Sequence, residues 1–207
     1  MAYCTVDEFF EYSDLDQGKI DTSLIQAHID RAYRQILNFS GTYFASTINN
    51  CLTITETLDP TPEKTDIANT YLVLSNYPVQ QLSTISIDNS SVTTADFLIY
   101  TDRLKIKRSP TTTYNFGIWD QNVTVTYKYG VVDDYKFGLA KQLNIMIAML
   151  DFFSTPKGRN VYMDNSRFAE INQNNVRPND MAQLFIDDLR KRIDELKNDL
   201  GVAHTYF

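Results

Sequence analysis

Acidic residues at positions 14, 16 and 21 resemble the start of a calcium-binding loop of the helix–loop–helix type. Such a loop needs a glycine at its sixth position and a bidentate glutamate at its twelfth. Counted from Asp14, these positions hold Lys19 and Ile25, which cannot serve either purpose. We therefore interpret residues 14–21 as a solvated turn that leads into a capped helix.

Metal-binding and nucleophilic side chains are scarce in this sequence. The histidines are His28 and His204, and the cysteines are Cys4 and Cys51. None of them has a second His or Cys at the spacing of a zinc site. We expect His28, at the edge of a helix stripe, to be a packed or surface residue rather than a base. We expect the two cysteines to be reduced thiols, with a single disulfide between them as the alternative.

Two pairs of carboxylates are adjacent in the sequence, Asp133-Asp134 and Asp187-Asp188. A catalytic pair must face a substrate across a cleft at a defined separation, which sequence neighbours do not supply. The first pair is typical of a helix cap and the second of a helix surface. The sequence also lacks nucleotide-binding and hydrolase motifs, so we predict no enzyme, no cofactor and no metal.

A strand followed by a buried helix is the strongest structural signal in the chain. In the stretch 122–130, β-branched and aromatic residues at 123, 125 and 127 alternate with polar residues at 124, 126 and 128. This pattern predicts a half-buried strand that ends at Gly130. In the predicted helix 134–153, apolar residues cover most of the circumference, so this helix is buried on several sides.

Helices are also predicted before this unit. Thr5 and Glu8 form a capping box, which begins a helix over residues 5–12. A second helix over residues 22–39 carries an apolar stripe of Ile25, Ile29 and Ala32, extended by Ile36. Between residues 51 and 130, short apolar runs alternate with turn signals, which indicates an antiparallel β region.

The last part of the chain, residues 154–207, is predicted to leave the core formed by residues 1–153. An Asn-rich excursion precedes a C-terminal helix over residues 178–200 and an aromatic tail. Long excursions in compact domains are usually functional or mobile. The fold class is therefore α+β, with N-terminal helices, a central antiparallel β region, a buried central helix and a long C-terminal helix.

Candidate contacts with a neighbouring protein lie in this last part. They are the sparse anchors of the excursion, the apolar stripe of the C-terminal helix and the aromatic end, residue types suited to interfaces. The candidates are Phe168, Ile171, Arg177, Phe185, Leu189, Ile193, Leu196, Tyr206 and Phe207. For the stripe, packing onto the chain's own core is the alternative, and we favour it for the N-terminal half of the helix. For the tail, a frayed end is the alternative.

The net charge and the hydropathy of the chain argue against nucleic acid and membrane as binding partners. The chain has 207 residues and a net charge of −7, which argues against a grip on nucleic-acid phosphates through clustered Lys and Arg. An acidic surface is compatible with DNA that slides past without sticking. The N-terminus has no signal-peptide pattern, and the longest apolar run is too short to span a membrane.

The order of several segments resembles the head–tail connector, or adaptor, proteins of tailed bacteriophages. The resemblance covers roughly residues 3 to 153 and depends on the order of the segments rather than on a single motif. These segments are a Tyr3-Cys4-Thr5 opening, the stripe at 24–36 that ends at 40–44, Tyr77-Pro78-Val79 through Ile85, residues 96–100, and the strand with Gly130.

This resemblance implies a structural virion protein at the portal vertex or neck, made in the host cytoplasm. Its subunits would form a homo-oligomeric ring, usually a dodecamer, docked beneath the portal protein. The ring would extend the DNA channel without specific binding and join the capsid to the next neck or tail protein. The C-terminal segment would reach back to the portal.

Two other functions stay open at this point. The first is a non-enzymatic β-scaffold module that binds a glycan or a protein, such as a virion accessory protein. It would need an exposed aromatic platform, for which Tyr114, Phe116 and Trp119 are candidates. The second is a hydrolase with scattered carboxylates, which would require a cleft that sequence spacing does not reveal.

Overall fold

Helices open and close the chain and strands fill its middle in this computed structural model, which confirms the predicted α+β class. The structure describes residues 2–58, 71–100, 103–106, 122–164 and 178–201. The helices are α1 Val6–Ser13, α2 Thr22–Ser40, α3 Asp134–Phe153, α4 Pro156–Asp164 and α5 Pro178–Asp199. The strands are β1 Phe44–Ala45, β2 Leu52–Leu58, β3 Tyr71–Val73, β4 Val79–Ile87, β5 Ser90–Val92, β6 Phe97–Ile99, β7 Arg103–Ile106, β8 Val123–Tyr129 and β9 Val131–Val132.

The chain divides into two compact units. Met1–Gly41 and Tyr135–Phe207 form the helical unit, and Thr42–Asp134 forms the β unit. The β unit is thus inserted in the sequence between the second and third helices. The separate role predicted for residues 154–207 stays a prediction.

Local signals set the limits of the first two helices. The Thr5 hydroxyl accepts from the Glu8 amide at 3.2 Å, and the Glu8 carboxylate accepts from the Thr5 amide at 2.9 Å. This is the capping box that the sequence predicts. Helix α2 begins after Asp21, whose carboxylate accepts from the Ser23 amide at 2.9 Å, and ends at Gly41 with φ of 65°.

The helical unit is built around α3. Its buried residues lie on every side of the helix, as the apolar circumference predicts. They are Leu139, Ala140, Leu143, Asn144, Ile145, Met146, Ile147, Ala148, Met149, Phe152 and Phe153. The apolar stripe of α2 is also buried in this unit.

Two antiparallel sheets enclose the core of the β unit. One has the strand order β2-β8-β4-β5 and the other β3-β7-β6. The largest fully buried side chain of this core is Tyr127 on β8, and the core also contains Leu72 and Ile85. The turn between β4 and β5 is formed by Asp88 and Asn89, with φ of 49° and 64°, the conformation of a tight two-residue hairpin.

One strand pair is parallel, and it lies just outside the antiparallel region predicted over residues 51–130. Strand β1 pairs with β9 through Phe44↔Val131 and Ala45↔Val132. Two-residue strands have too short a pattern for the alternation signal to detect. The pairing brings Gly130, with φ of 133°, so close to Tyr43 that an added Cβ would lie 2.9 Å from the Tyr43 carbonyl oxygen. Glycine is therefore required where β8 turns into β9.

Candidate interaction surfaces

Asn144 is the most deeply buried polar side chain of α3, with no exposed surface. Its Oδ1 accepts from the Tyr3 amide at 3.1 Å and from the Cys4 thiol at 3.5 Å. Its Nδ2 donates to the Ile29 carbonyl oxygen at 3.0 Å. One side chain thus ties the N-terminal segment and α2 to the central helix. These contacts satisfy the amide inside an apolar core, which is the role of a structural anchor.

His28 is also buried, and it faces a carboxylate. Its Nδ1 lies 2.8 Å from Asp151 Oδ2, and Arg31 Nη1 lies 2.5 Å from the same oxygen. The His28 ring is 4% exposed and packs edge-on against Phe152. This cluster joins α2 to the C-terminal half of α3. Of the two environments predicted for His28, packed or surface, the imidazole has the packed one.

An ion pair joins α1 to α3 in the same unit. Lys141 of α3 contacts the carboxylate of Glu8, the residue that also closes the capping box. Burial alone would raise the pKa of Glu8, but hydrogen bonds from Lys141 and Thr5 outweigh it and hold that pKa below its ordinary value. Burial also raises the pKa of the Cys4 thiol to about 12, so this cysteine is a poor nucleophile.

The four-stranded sheet has a different polar feature, a face of hydroxyl groups that points away from the core. Residues in register across the strands share a face. In one row, Thr55 of β2 is opposite Thr126 of β8, which is opposite Thr84 of β4. In the next row, Thr57 is opposite Thr124, which is opposite Ser86. We call this surface the hydroxyl face; it comprises Thr53, Thr55, Thr57, Thr84, Ser86, Ser91, Thr124 and Thr126.

Hydroxyl pairs connect the strands across this face. The hydroxyls of Thr55 and Thr126 lie 2.8 Å apart, and those of Thr57 and Thr124 lie 3.1 Å apart. In register with these rows, Lys128 is opposite Thr53 and Gln81. Among the described strand residues of this face there is no carboxylate, although the whole chain has a net charge of −7.

The opposite side of the same sheet holds a hydrogen-bonded tyrosine. The Tyr127 hydroxyl donates to Glu56 Oε1 at 2.7 Å and accepts from the Asn76 amide at 3.1 Å. The Ser75 amide donates to the same Glu56 oxygen at 3.1 Å. Burial, helped by the Glu56 carboxylate, raises the pKa of Tyr127 to about 12. The side chains of Tyr127 and Glu56 thus fix the segment between β3 and β4.

The predicted contact residues of α5 lie largely inside the helical unit. Leu189 and Ile193 are 3% and 4% exposed, and Phe185 packs edge-on against Phe153 with ring centroids 5.3 Å apart. Leu196 is half-buried. Own-core packing thus covers much of this stripe, and contacts of these four side chains with a neighbour stay a prediction.

Other predicted positions lie outside the residues that the structure describes. They include five of the candidate contacts and the aromatic platform of the alternative function. These residues are Phe168, Ile171, Arg177, Tyr206, Phe207, Tyr114, Phe116 and Trp119.

The structure supports the turn interpretation of the acidic segment 14–21. Asp16 Oδ1 accepts from the Gly18 amide at 2.9 Å, and residues 17–19 form one 3₁₀ turn. In the described part of the chain, no group of three or more His, Cys, Asp or Glu residues could hold a metal ion. None of the described helices combines the length and the apolar character needed to cross a membrane.

Comparisons with known proteins give only structural likenesses. No family model and no curated protein matches the sequence. One similar solved chain is from the virion of a native gene transfer agent particle, at 13% identity and a TM-score of 0.48, over 74% of this chain and 79% of that one. Another is from the neck of an empty gene transfer agent particle computed with C6 symmetry, at 13% identity and a TM-score of 0.45, over 70% and 76%. Likeness at this level carries no argument about function.

Proposed function

We propose that this chain is a structural virion protein, the subunit of a head–tail connector ring in a tailed bacteriophage. The ring docks beneath the portal, extends the DNA channel and joins the capsid to the next neck or tail protein. The observation that carries the proposal is the place of the connector-like segments in the structure, since they form the framework of both units.

In the helical unit, the Tyr3-Cys4-Thr5 opening supplies the groups that bind Asn144 and cap α1. In the β unit, the strand at 123–129 is β8, which pairs with β2 on one side and β4 on the other. The glycine after this strand is held against Tyr43. A resemblance carried by such framework positions supports a shared architecture better than one carried by surface residues.

Charge supports the same role. A ring that DNA must pass through gains from a surface that does not bind phosphates, and a net charge of −7 provides one. A ring of identical subunits uses a heterologous interface that closes by rotation. For the contact with the portal we propose the C-terminal segment 154–207, including the half-buried Phe185 and Leu196 of α5 and the residues beyond 201.

A binding assay with the portal ring of the same particle tests this function. We expect the purified chain to co-sediment with the portal ring. Electron micrographs of the complex should show a second ring of density in addition to that of the portal. Removal of residues 202–207 should weaken this docking while the thermal unfolding of the chain stays unchanged. A chain that neither forms rings nor binds the portal ring would overturn the proposal.

A further inference from the structure

Strand β2 forms one edge of the four-stranded sheet, and β5 forms the other. Strand β2 pairs with β8 over its whole length, Leu52 to Leu58, without a shift in register. Within the described ranges, no strand lies on its outer side. An edge of this kind presents a row of backbone donors and acceptors to any strand that can approach it.

The hydrogen bonds at the two ends of the β4–β8 ladder show which β2 groups point outward. The Gly130 amide donates to the Pro78 carbonyl oxygen, and the Asp88 amide donates to the Asn122 carbonyl oxygen, both at 2.9 Å. These bonds flank the pairs Val79↔Tyr129 and Ile87↔Val123, which are therefore non-hydrogen-bonded pairs.

It follows that the odd-numbered residues of β8, from 123 to 129, direct their backbone groups toward β2. Their partners on β2 are the even-numbered residues, such as Ile54 and Glu56. The N–H and C=O groups of Thr53, Thr55 and Thr57 consequently point away from the sheet. Their side chains lie on the hydroxyl face and are exposed.

The described residues of β2 show few of the features with which proteins discourage strand addition. Lysine, proline and bulges are common features of this kind. Strand β2 has none of these, and its single charged residue, Glu56, directs its carboxylate to the Tyr127 hydroxyl at 2.7 Å. Strand β5, with the sequence Ser90-Ser91-Val92, has no charged side chain.

We propose, on the basis of the proposed ring function, that β2 of one copy pairs with β5 of the next copy. The sheet is antiparallel and has an even number of strands, in the order β2-β8-β4-β5. When copies of such a sheet are placed side by side, with β5 of one copy next to β2 of the following copy, these two strands run antiparallel. The joined sheets are then antiparallel throughout. Ser91 lies on the hydroxyl face opposite Ser86, so this face continues across the junction.

Substitutions that remove an outward amide test the pairing. Thr55→Pro deletes one outward N–H of β2, and Ser91→Pro deletes the corresponding N–H of β5. Proline is tolerated on edge strands, so each variant should keep its fold, as checked by circular dichroism and thermal unfolding. The concentration for half-assembly, measured by analytical ultracentrifugation with and without the portal ring, should rise about tenfold or more.

Thr55→Val is the matched control because it removes the hydroxyl but keeps the amide. Its assembly should equal that of the wild type. If Thr55→Pro assembles as the wild type does, the β2–β5 pairing is wrong while the ring function stands. If the wild type forms no rings and does not bind the portal ring, the ring function fails and the pairing fails with it.

Amide hydrogen exchange gives a test that needs no variant. In separated subunits the amides of Thr53, Thr55 and Thr57 should exchange fast, and those of Ile54 and Glu56 slowly. In the assembled ring the Thr55 amide should also exchange slowly, because the three-residue strand β5 can cover only the middle of β2. Slow exchange of the Thr55 amide in separated subunits, or its fast exchange in the ring, would overturn the inference.

Discussion

The helical unit and the β unit treat polar side chains in opposite ways. In the helical unit, Asn144 and His28 lie inside the apolar core, where each has a specific partner on another element. In the β unit, threonine and serine side chains cover the outer face of the four-stranded sheet, and Tyr127 is hydrogen-bonded on the other side. Buried polar contacts fix how elements pack, whereas an exposed polar face leaves a surface for partners. Under the proposed ring function, the helical unit serves as the scaffold and the β unit forms the contacts between copies.

The largest effect on stability is expected from a substitution of Gly158 on α4, because the backbone of a neighbouring residue packs closely against this glycine. A Cβ at this position would lie 2.1 Å from the Phe152 carbonyl oxygen and 2.7 Å from its carbon. Gly158→Ala should therefore lower the free energy of unfolding by about 3 kcal/mol in urea titrations. Gly138→Ala is the matched control, since nothing lies within 4 Å of its Cβ. It should raise stability by about 0.5–1 kcal/mol, and equal effects of the two changes would contradict this packing.

Asn144→Leu tests the buried polar anchor. Leucine has a similar volume, but it leaves the Tyr3 amide without its acceptor. We expect a loss of about 2 kcal/mol in the free energy of unfolding. Gln142→Leu, at an exposed position of the same helix, should change it by less than about 0.5 kcal/mol. A stabilised Asn144→Leu variant would show that the scaffold does not depend on this anchor.

Tyr127→Phe tests a polar contact at the core of the β unit. The change removes the hydroxyl that links Glu56 to the Asn76 amide. The expected loss is about 1.5 kcal/mol, measured by the same titration. Tyr77→Phe, at a side chain that is 58% exposed, serves as the control and should be close to neutral.

The two units should also differ in the side of the pH scale on which they weaken. The pKa of Glu8 is lowered from its ordinary value of 4.5. The stabilisation by this carboxylate is therefore present above pH 4.5 and is lost as the pH falls through the lowered pKa. The pKa of Tyr127 is raised from 10.0 to about 12, so its stabilisation is present below pH 10 and is lost as the pH rises through about 12. Glu8→Gln should flatten the acid limb of a stability profile and Tyr127→Phe the alkaline limb. Identical stability profiles for both variants would contradict this difference between the two units.

The smallest effect is expected on the hydroxyl face. Thr126→Val removes the 2.8 Å contact with Thr55 but keeps a β-branched side chain on the sheet. The free energy of unfolding should change by less than about 0.5 kcal/mol. A loss of more than about 1.5 kcal/mol would show that this face stabilises the fold, which would weaken its assignment as a contact surface.

Sequence patterns predicted elements whose signal is local and repeated. The capping box at Thr5, the stripe of α2 and the apolar circumference of α3 each extend over enough residues to be read without the structure. The β1–β9 pair was missed because it joins two-residue strands that are far apart in the sequence.

The polar contacts were harder to predict for a related reason. Asn144 is flanked in the sequence by apolar residues of α3, and this is the only sequence feature that indicates its burial. Its partners Tyr3 and Ile29 are more than 100 residues away, so no local pattern identifies them. The hydroxyl face did leave a signal, because threonine recurs at every second position in β2 and β8. Only the register of the strands shows that these rows form one surface.

Native mass spectrometry of the full chain, alone and mixed with the portal ring of its particle, tests the proposed ring function. We expect closed rings of identical subunits, either free or bound to the portal ring, and a loss of these rings in Thr55→Pro but not in Thr55→Val. A chain that stays monomeric at high concentration and leaves the mass of the portal ring unchanged would contradict the claim.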